Sequence, residues 1–188
     1  KALAHVRYLC SKMQGGRVKI GHAGTLDPLA TGVLILATGK MTKQIEKLQT
    51  HTKEYVATIQ LGATTPSYDM EHEENETFPT EHITRELIET ALQQFIGDIE
   101  QVPPTYSAVK VNGQRAFDYR RNGEDIVLKP KNIRIDEIEI THFDADRMQL
   151  TLRVVCGKGT YIRALARDLG RAINSGAYLV ALRRTRVG

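Results

Sequence analysis

Residues 19–32 read Lys-Ile-Gly-His-Ala-Gly-Thr-Leu-Asp-Pro-Leu-Ala-Thr-Gly. Three glycines, one proline, one histidine and a single carboxylate, Asp27, lie between two apolar segments. The glycines permit tight turns or close approach of a ligand to the backbone. Pro28 biases Asp27 toward an extended conformation, so it is not the middle of a helix. Judged by composition alone, such an aspartate is more often an Asx-turn or helix-cap residue than a catalyst.

Outward from that stretch the pattern mixes helix and strand. Residues 2–13 place Leu3, Val6, Leu9 (or Cys10) and Met13 at helical spacing, and Gly15-Gly16 stops the run. A helix with those residues facing inward is therefore predicted. Residues 33–37 read as a short buried strand, and 41–49 as a helix with Ile45 and Leu48 inward. Residues 53–61 alternate, with Tyr55, Ala57, Ile59 and Leu61 on one side of a half-buried strand. The acidic, aperiodic segment 62–81 predicts a surface loop of unusual length. Residues 84–96 carry a helical apolar face, with Gly97 as the expected C-cap.

The second half is mostly strand. Asn112-Gly113 signals a tight turn. Residues 131–143 and 148–156 alternate about 144–147 and predict a hairpin, with a β-bulge where Ile135 to Ile138 breaks the period of two. A helix with Ile162, Leu165, Ala166, Leu169 and Ile173 inward follows, then a final strand near 178–187. No linker divides the chain, so residues 1–188 are expected to form a single domain.

The 188 residues are 41% hydrophobic and 26% charged, an ordinary globular balance that excludes disorder and fibrous repeats. The longest apolar run is six residues, far short of a membrane span. Two cysteines, Cys10 and Cys156, argue against a disulfide framework and for a reducing, cytoplasmic setting. Charge is segregated. Residues 1–61 hold nine basic and three acidic side chains, 62–100 one and ten, and 147–188 nine and one. Basic ends converging on one face would attract a polyanion such as nucleic acid, although solvated faces separated by an acidic loop fit equally well.

Several motifs are decoys. Thr38-Gly39-Lys40 resembles the end of a phosphate-binding loop, but Leu34 and Met41 occupy the positions of its first glycine and its Ser/Thr. His72, among Glu71, Glu73 and Glu74, lacks partners at metal-ligand spacing and reads as solvated loop. There is no GxSxG elbow for a serine hydrolase.

The run Gly21-His22-Ala23-Gly24-Thr25-Leu26-Asp27-Pro28-Leu29-Ala30-Thr31-Gly32 resembles the catalytic motif of the TruB family of pseudouridine synthases. Further segments match in family order: Lys53-Glu54-Tyr55, Pro103-Pro104-Thr105-Tyr106-Ser107-Ala108-Val109-Lys110, Gly157-Lys158-Gly159-Thr160-Tyr161-Ile162-Arg163 and Leu182-Arg183-Arg184. The resemblance implies an α+β fold, a mixed and largely antiparallel sheet flanked by helices, with a central RNA-binding cleft. It implies isomerisation of a T-loop uridine in tRNA. Asp27 matches the essential aspartate, Tyr161 an active-site tyrosine that is a candidate base at C5, and Arg163 the arginine paired with the aspartate. Tyr55 matches the tyrosine that stacks on the target base, His22 a histidine in contact with RNA, Leu182 an apolar pocket residue, and Lys19 a flanking basic residue.

The reaction is redox-neutral, so the expectation is an enzyme with no cofactor and no metal. A carboxylate in it serves as nucleophile at ribose or base, or as base at the ribose 2′ carbon, and the sequence does not choose. The expected partner is the T-arm of tRNA, with no membrane, no obligate protein partner and a monomeric state. The family's early lysine-proline-x-glycine segment and its PUA domain are not found here, so truncation at the N-terminus is expected. Two alternatives stay open: a guide-dependent synthase of the dyskerin class, and a non-catalytic RNA-binding or RNA-folding module.

Overall fold

The computed structural model describes residues 2–123 and 126–188. Helix α1 (Ala2–Gln14) is followed by three short strands, β1 (Ile20–His22), β2 (Thr31–Gly32) and β3 (Leu36–Thr38). A 3-10 turn over Gly39–Gln44 runs into helix α2 (Ile45–Gln49), then come β4 (Lys53–Leu61), β5 (Ala63–Thr64), β6 (Glu76–Thr77) and helix α3 (Arg85–Gln93). Next are β7 (Gly97–Gln101), β8 (Lys110–Val111), β9 (Gln114–Arg115) and helix α4 (Ala116–Arg121). The long pair β10 (Lys131–Asp144) and β11 (Gln149–Cys156), helix α5 (Ile162–Ala172) and β12 (Ala177–Val187) complete the chain.

The main sheet has the order β2-β12-β4-β11-β10-β7. All its pairings are antiparallel except β12 with β2. The alternation in β4 puts Tyr55, Ala57, Ile59 and Leu61 on the buried face, as their spacing predicts. Helices α3 and α5 cover that face: Ile88 and Leu92 from one, Leu165, Leu169 and Ile173 from the other, join Leu150 and Leu152 in one core. Each such side chain withdrawn from water contributes about 1.5–3 kcal/mol. On the opposite face Arg153 binds Glu54, Glu137 and Glu139, a solvated charge cluster where a second apolar layer would be unsupported.

Two predicted details hold, and an N-cap joins them. The register shift between Ile135 and Glu137 is the expected bulge, and a second lies between Ile140 and His142. Asn112 and Gly113 both take positive φ, 50° and 84°, in the tight β8–β9 turn. Thr84 caps α3 by accepting the Leu87 N–H.

Four expectations are corrected. Helix α1 forms, yet none of its residues is buried, and Met13 is 87% exposed, because only β1 lies beside it. Residues 33–35 are not strand: Val33 is exposed, its N–H bonded to the Arg184 carbonyl, and only Leu36–Thr38 pairs with β1. Gly97 is not the C-cap of α3; Gln94 is, and Gly97 at φ 100° opens the unanticipated edge strand β7. The segment 62–81 is a surface loop only in its outer part. Ala63, Thr65, Ser67 and Asp69 are buried, β5 and β6 close the hairpin, and the Tyr178 hydroxyl holds Glu74 at 2.7 Å. Among the described residues no helix is long and apolar enough to cross a membrane.

Candidate active site

Asp27 and Arg163 come from opposite ends of the chain and meet at the mouth of the cleft. Arg163 donates from Nε to Asp27 Oδ2 at 2.9 Å and from Nη2 to Oδ1 at 3.0 Å, a bidentate fork. Its Nη1 donates to the carbonyls of Tyr106 (2.8 Å) and Ser67 (3.2 Å). The Arg163 side chain is 5% exposed and that of Asp27 34%, so the cation is anchored in protein while the carboxylate faces outward. A second carboxylate, Asp69, stands 3.7 Å from Arg163 Nε and is itself buried.

Local structure explains the placement. Arg163 lies in the first turn of α5, where Tyr161 is the N-cap. Buried Gln101, at the end of β7, holds Tyr161 from both sides: Oε1 accepts its N–H at 2.9 Å and Nε2 donates to its carbonyl at 3.2 Å. The Asp27 loop is held by Arg184 of β12, which is 1% exposed. Its Nε donates to the Val33 carbonyl (2.8 Å) and Nη2 to that of Gly24 (3.2 Å), satisfying loop carbonyls that burial would otherwise leave unpaired. Gly32 lies against the same residue at φ 104°, and a Cβ there would stand 2.0 Å from the Arg184 carbonyl oxygen. Gly32→Ala therefore forces the loop off β12, and we expect a loss of at least about 2 kcal/mol in urea unfolding; an unchanged midpoint would contradict this anchoring.

Asp27 and Arg163 form a wall shared by two chambers. The smaller, about 170 Å³, is lined also by Tyr55, Tyr161, Ile162 and Leu182, a volume and lining suited to one heterocyclic base. The larger, about 660 Å³, is lined also by His72, Tyr106, Phe117, Arg120 and Arg121. Burial pushes the Tyr161 phenol up from its ordinary value, with the Arg163 charge opposing and Asp27 adding. Burial raises Tyr55 as well, against a hydrogen bond from Arg184.

The structure thus brings together Asp27, Arg163, Tyr55, Tyr161 and Leu182. It does not bring in Lys19 or His22, which line neither chamber. Lys19 lines a separate basic groove with Arg7 and Arg17. His22 lies in β1, half-buried, with its Nδ1 lacking a hydrogen-bond partner among the described residues. Sequence reasoning missed Asp69 and Ser67. His72, read as solvated, is exposed, and it also lines the larger chamber, with Nδ1 2.9 Å from Ser67 Oγ. No local periodicity marks these residues; only the contact with Arg163, roughly half the chain away, gives them a role.

A clamped carboxylate beside a chamber lined by two tyrosines is the site's distinguishing geometry, and the class follows from similarity to known pseudouridine synthases. The family model described as TruB family pseudouridylate synthase (N terminal domain) matches residues 11–162. The chain belongs to that family. Over its whole length it is 61% identical to a tRNA pseudouridine synthase B of Bacteroides fragilis, covering 80% of that protein. It is 62% identical, over 97% of its length, to one of Phocaeicola vulgatus, covering 77% of that protein. Solved structures share the fold. A chain of a Cbf5-Nop10-Gar1 complex aligns over 98% of this chain with a TM-score of 0.69 and 30% identity. A chain of an H/ACA RNP bound to a substrate RNA containing 2'-deoxyuridine aligns with a TM-score of 0.66 and 26% identity, again over 98%. This chain spans less than half of each of those two solved chains.

Proposed function

We propose that this chain is a tRNA pseudouridine synthase that isomerises a T-loop uridine, with Asp27 as the reacting carboxylate. The observation that carries the reading is the bidentate Arg163–Asp27 fork at the wall of a base-sized chamber. In the reaction the N1–C1′ bond breaks, the uracil turns, a C5–C1′ bond forms, and the C5 proton leaves while N1 ends protonated. No electrons are gained or lost, so the chemistry asks for no oxidant, reductant or cofactor. Asp27 presents its oxygens in a fixed orientation to the ribosyl–uracil linkage.

Reaching that linkage requires the uridine to leave its stack, at a cost of a few kcal/mol. Tyr55 and Tyr161 line the slot that receives it, and stacking on one aromatic returns about 1–3 kcal/mol. Leu182 supplies apolar contact. Basic side chains at both ends of the chain contact phosphates, with Lys19 and His22 in outer positions. Consequently the dissociation constant for a T-arm stem-loop should rise about tenfold or more between about 50 and 200 mM salt; a constant value would count against this interface.

Tyr161 takes the C5 proton as phenolate. Because its pKa is raised, the phenolate is a small fraction at neutral pH, and that fraction grows as pH rises. The single-turnover rate should therefore climb about tenfold per unit from pH 7 to 9. A flat profile over that range would leave Tyr161 as a stacking ring only.

The decisive assay is tritium release from a T-arm stem-loop carrying C5-tritiated uridine, with no guide RNA added. Release supports the reading. Release only with an added guide RNA points to the guide-dependent class, and RNA binding without release to a binding module. The relatives above 60% identity favour the guide-free reading. We propose further that residues 1–188 act as one catalytic domain, monomeric and cytoplasmic; two cysteines that form no disulfide suit that compartment. Sedimentation at about 21 kDa would support the monomer.

A further inference from the structure

Ser67, Asp69 and His72 lie beside the Arg163–Asp27 pair and form a chain whose proton positions are dictated by chemistry. Ser67 Oγ is 2.5 Å from Asp69 Oδ1, which also accepts the Glu71 N–H at 3.0 Å. A carboxylate facing an arginine accepts only, so the single hydroxyl proton of Ser67 is committed to Asp69. The 2.9 Å contact between Ser67 Oγ and His72 Nδ1 must then be donated by the ring. Nδ1 therefore carries hydrogen in both charge states, and only Nε2 gains or loses a proton. His72 lines the larger chamber, and its ring rests 4.8 Å from that of Tyr106.

Charges of both signs face this chamber. Asp27 and Glu71 line it with negative charge, Arg120, Arg121 and Arg163 with positive, and Arg163 is already joined to Asp27. Arg120 also lies 5.7 Å over the Tyr106 ring that His72 touches. One more proton on His72 adds positive charge to the chamber and turns Nε2 from a bare lone pair into a donor.

We propose that His72 is a proton-dependent RNA contact: its Nε2–H binds a phosphodiester oxygen beside the target nucleotide when the ring is charged, and the contact is lost when it is neutral. The inference rests on the reading that RNA enters this cleft. It makes substrate affinity, rather than the chemical step alone, respond to pH.

The test measures the dissociation constant of a T-arm stem-loop at pH 5.5 and pH 7.5, at fixed salt, for the unaltered chain, His72→Gln and His72→Lys. A hydrogen bond to a charged group predicts about tenfold tighter binding at the lower pH for the unaltered chain. His72→Gln should lose that difference, and His72→Lys should bind tightly at both values. Any response from His22 is common to all three and cancels in the comparison. Equal pH responses with and without His72, in a chain that still releases tritium, overturn this inference alone. No affinity at any pH overturns the RNA reading together with it. Nitrogen-15 NMR gives an independent check: neutral His72 should be the Nδ1–H tautomer, and an Nε2–H signal overturns the proposal.

Discussion

Asp27→Asn should abolish tritium release, lowering the single-turnover rate by at least about 10³-fold, while leaving the T-arm dissociation constant within about threefold. The substitution keeps the shape of the side chain and one acceptor for the Arg163 fork. It removes the charge, and with it either the nucleophile or the base. Asp27 is only half-buried and its loop is held by Arg184 and β12, so the fold does not depend on its carboxylate. An unchanged melting temperature is therefore expected alongside the lost rate. Undiminished release by Asp27→Asn would take the reaction away from this residue and leave the clamp as a structural ion pair.

The second large effect is expected at Arg163, and its form depends on the replacement. Alanine would leave buried Asp69 and the inner side of Asp27 facing each other with no cation between them. Breaking such a pair from one side costs about 3–5 kcal/mol, so Arg163→Ala should melt well below the unaltered chain. Lysine keeps the charge but cannot reproduce the fork. Arg163 serves two carboxylate oxygens and two carbonyls at once, whereas an ammonium group has three donors from a single point. Arg163→Lys should therefore fold and bind RNA with little change, yet lose about 100-fold in rate as Asp27 gains rotational freedom. Equal rates with only weaker binding would show that orientation of Asp27 is not what Arg163 contributes.

The two carboxylates at Arg163 differ in what their surroundings ask of them. Asp69 is buried, with Ser67, the Glu71 N–H and Arg163 around it. Asp27 is held by the same cation and faces both chambers. One cation thus holds a buried anion and an outward-facing one. The His72–Ser67 extension ties the larger chamber to the same network without touching Asp27.

Much of this was readable along the chain. Strand β4, the β10–β11 hairpin with its bulge, the Asn112-Gly113 turn and the buried face of α5 all follow from period-two or period-3.6 spacing and from turn chemistry. These are local rules, in which a residue's environment is set by near neighbours. The glycines and Pro28 around Asp27 likewise marked a loop of special shape, and the family resemblance turned that loop into a site. Lys19 and His22 are near Asp27 in sequence but line neither chamber.

What only the tertiary structure decided is which distant groups meet. Helix α1 has an apolar stripe, yet spacing cannot say whether anything covers it, and here nothing among the described residues buries it. The segment 62–81 is acidic and aperiodic, so composition places it in solvent. Its inner half is nonetheless drawn under Arg163, because a buried guanidinium needs carbonyls and a counter-charge there. The sequence by itself determined the local elements and the special shape of the Asp27 loop. The partnership of Asp27, Arg163, Asp69 and His72 was decided by packing, since a hydrogen bond across 136 residues leaves no periodic trace in the chain that makes it.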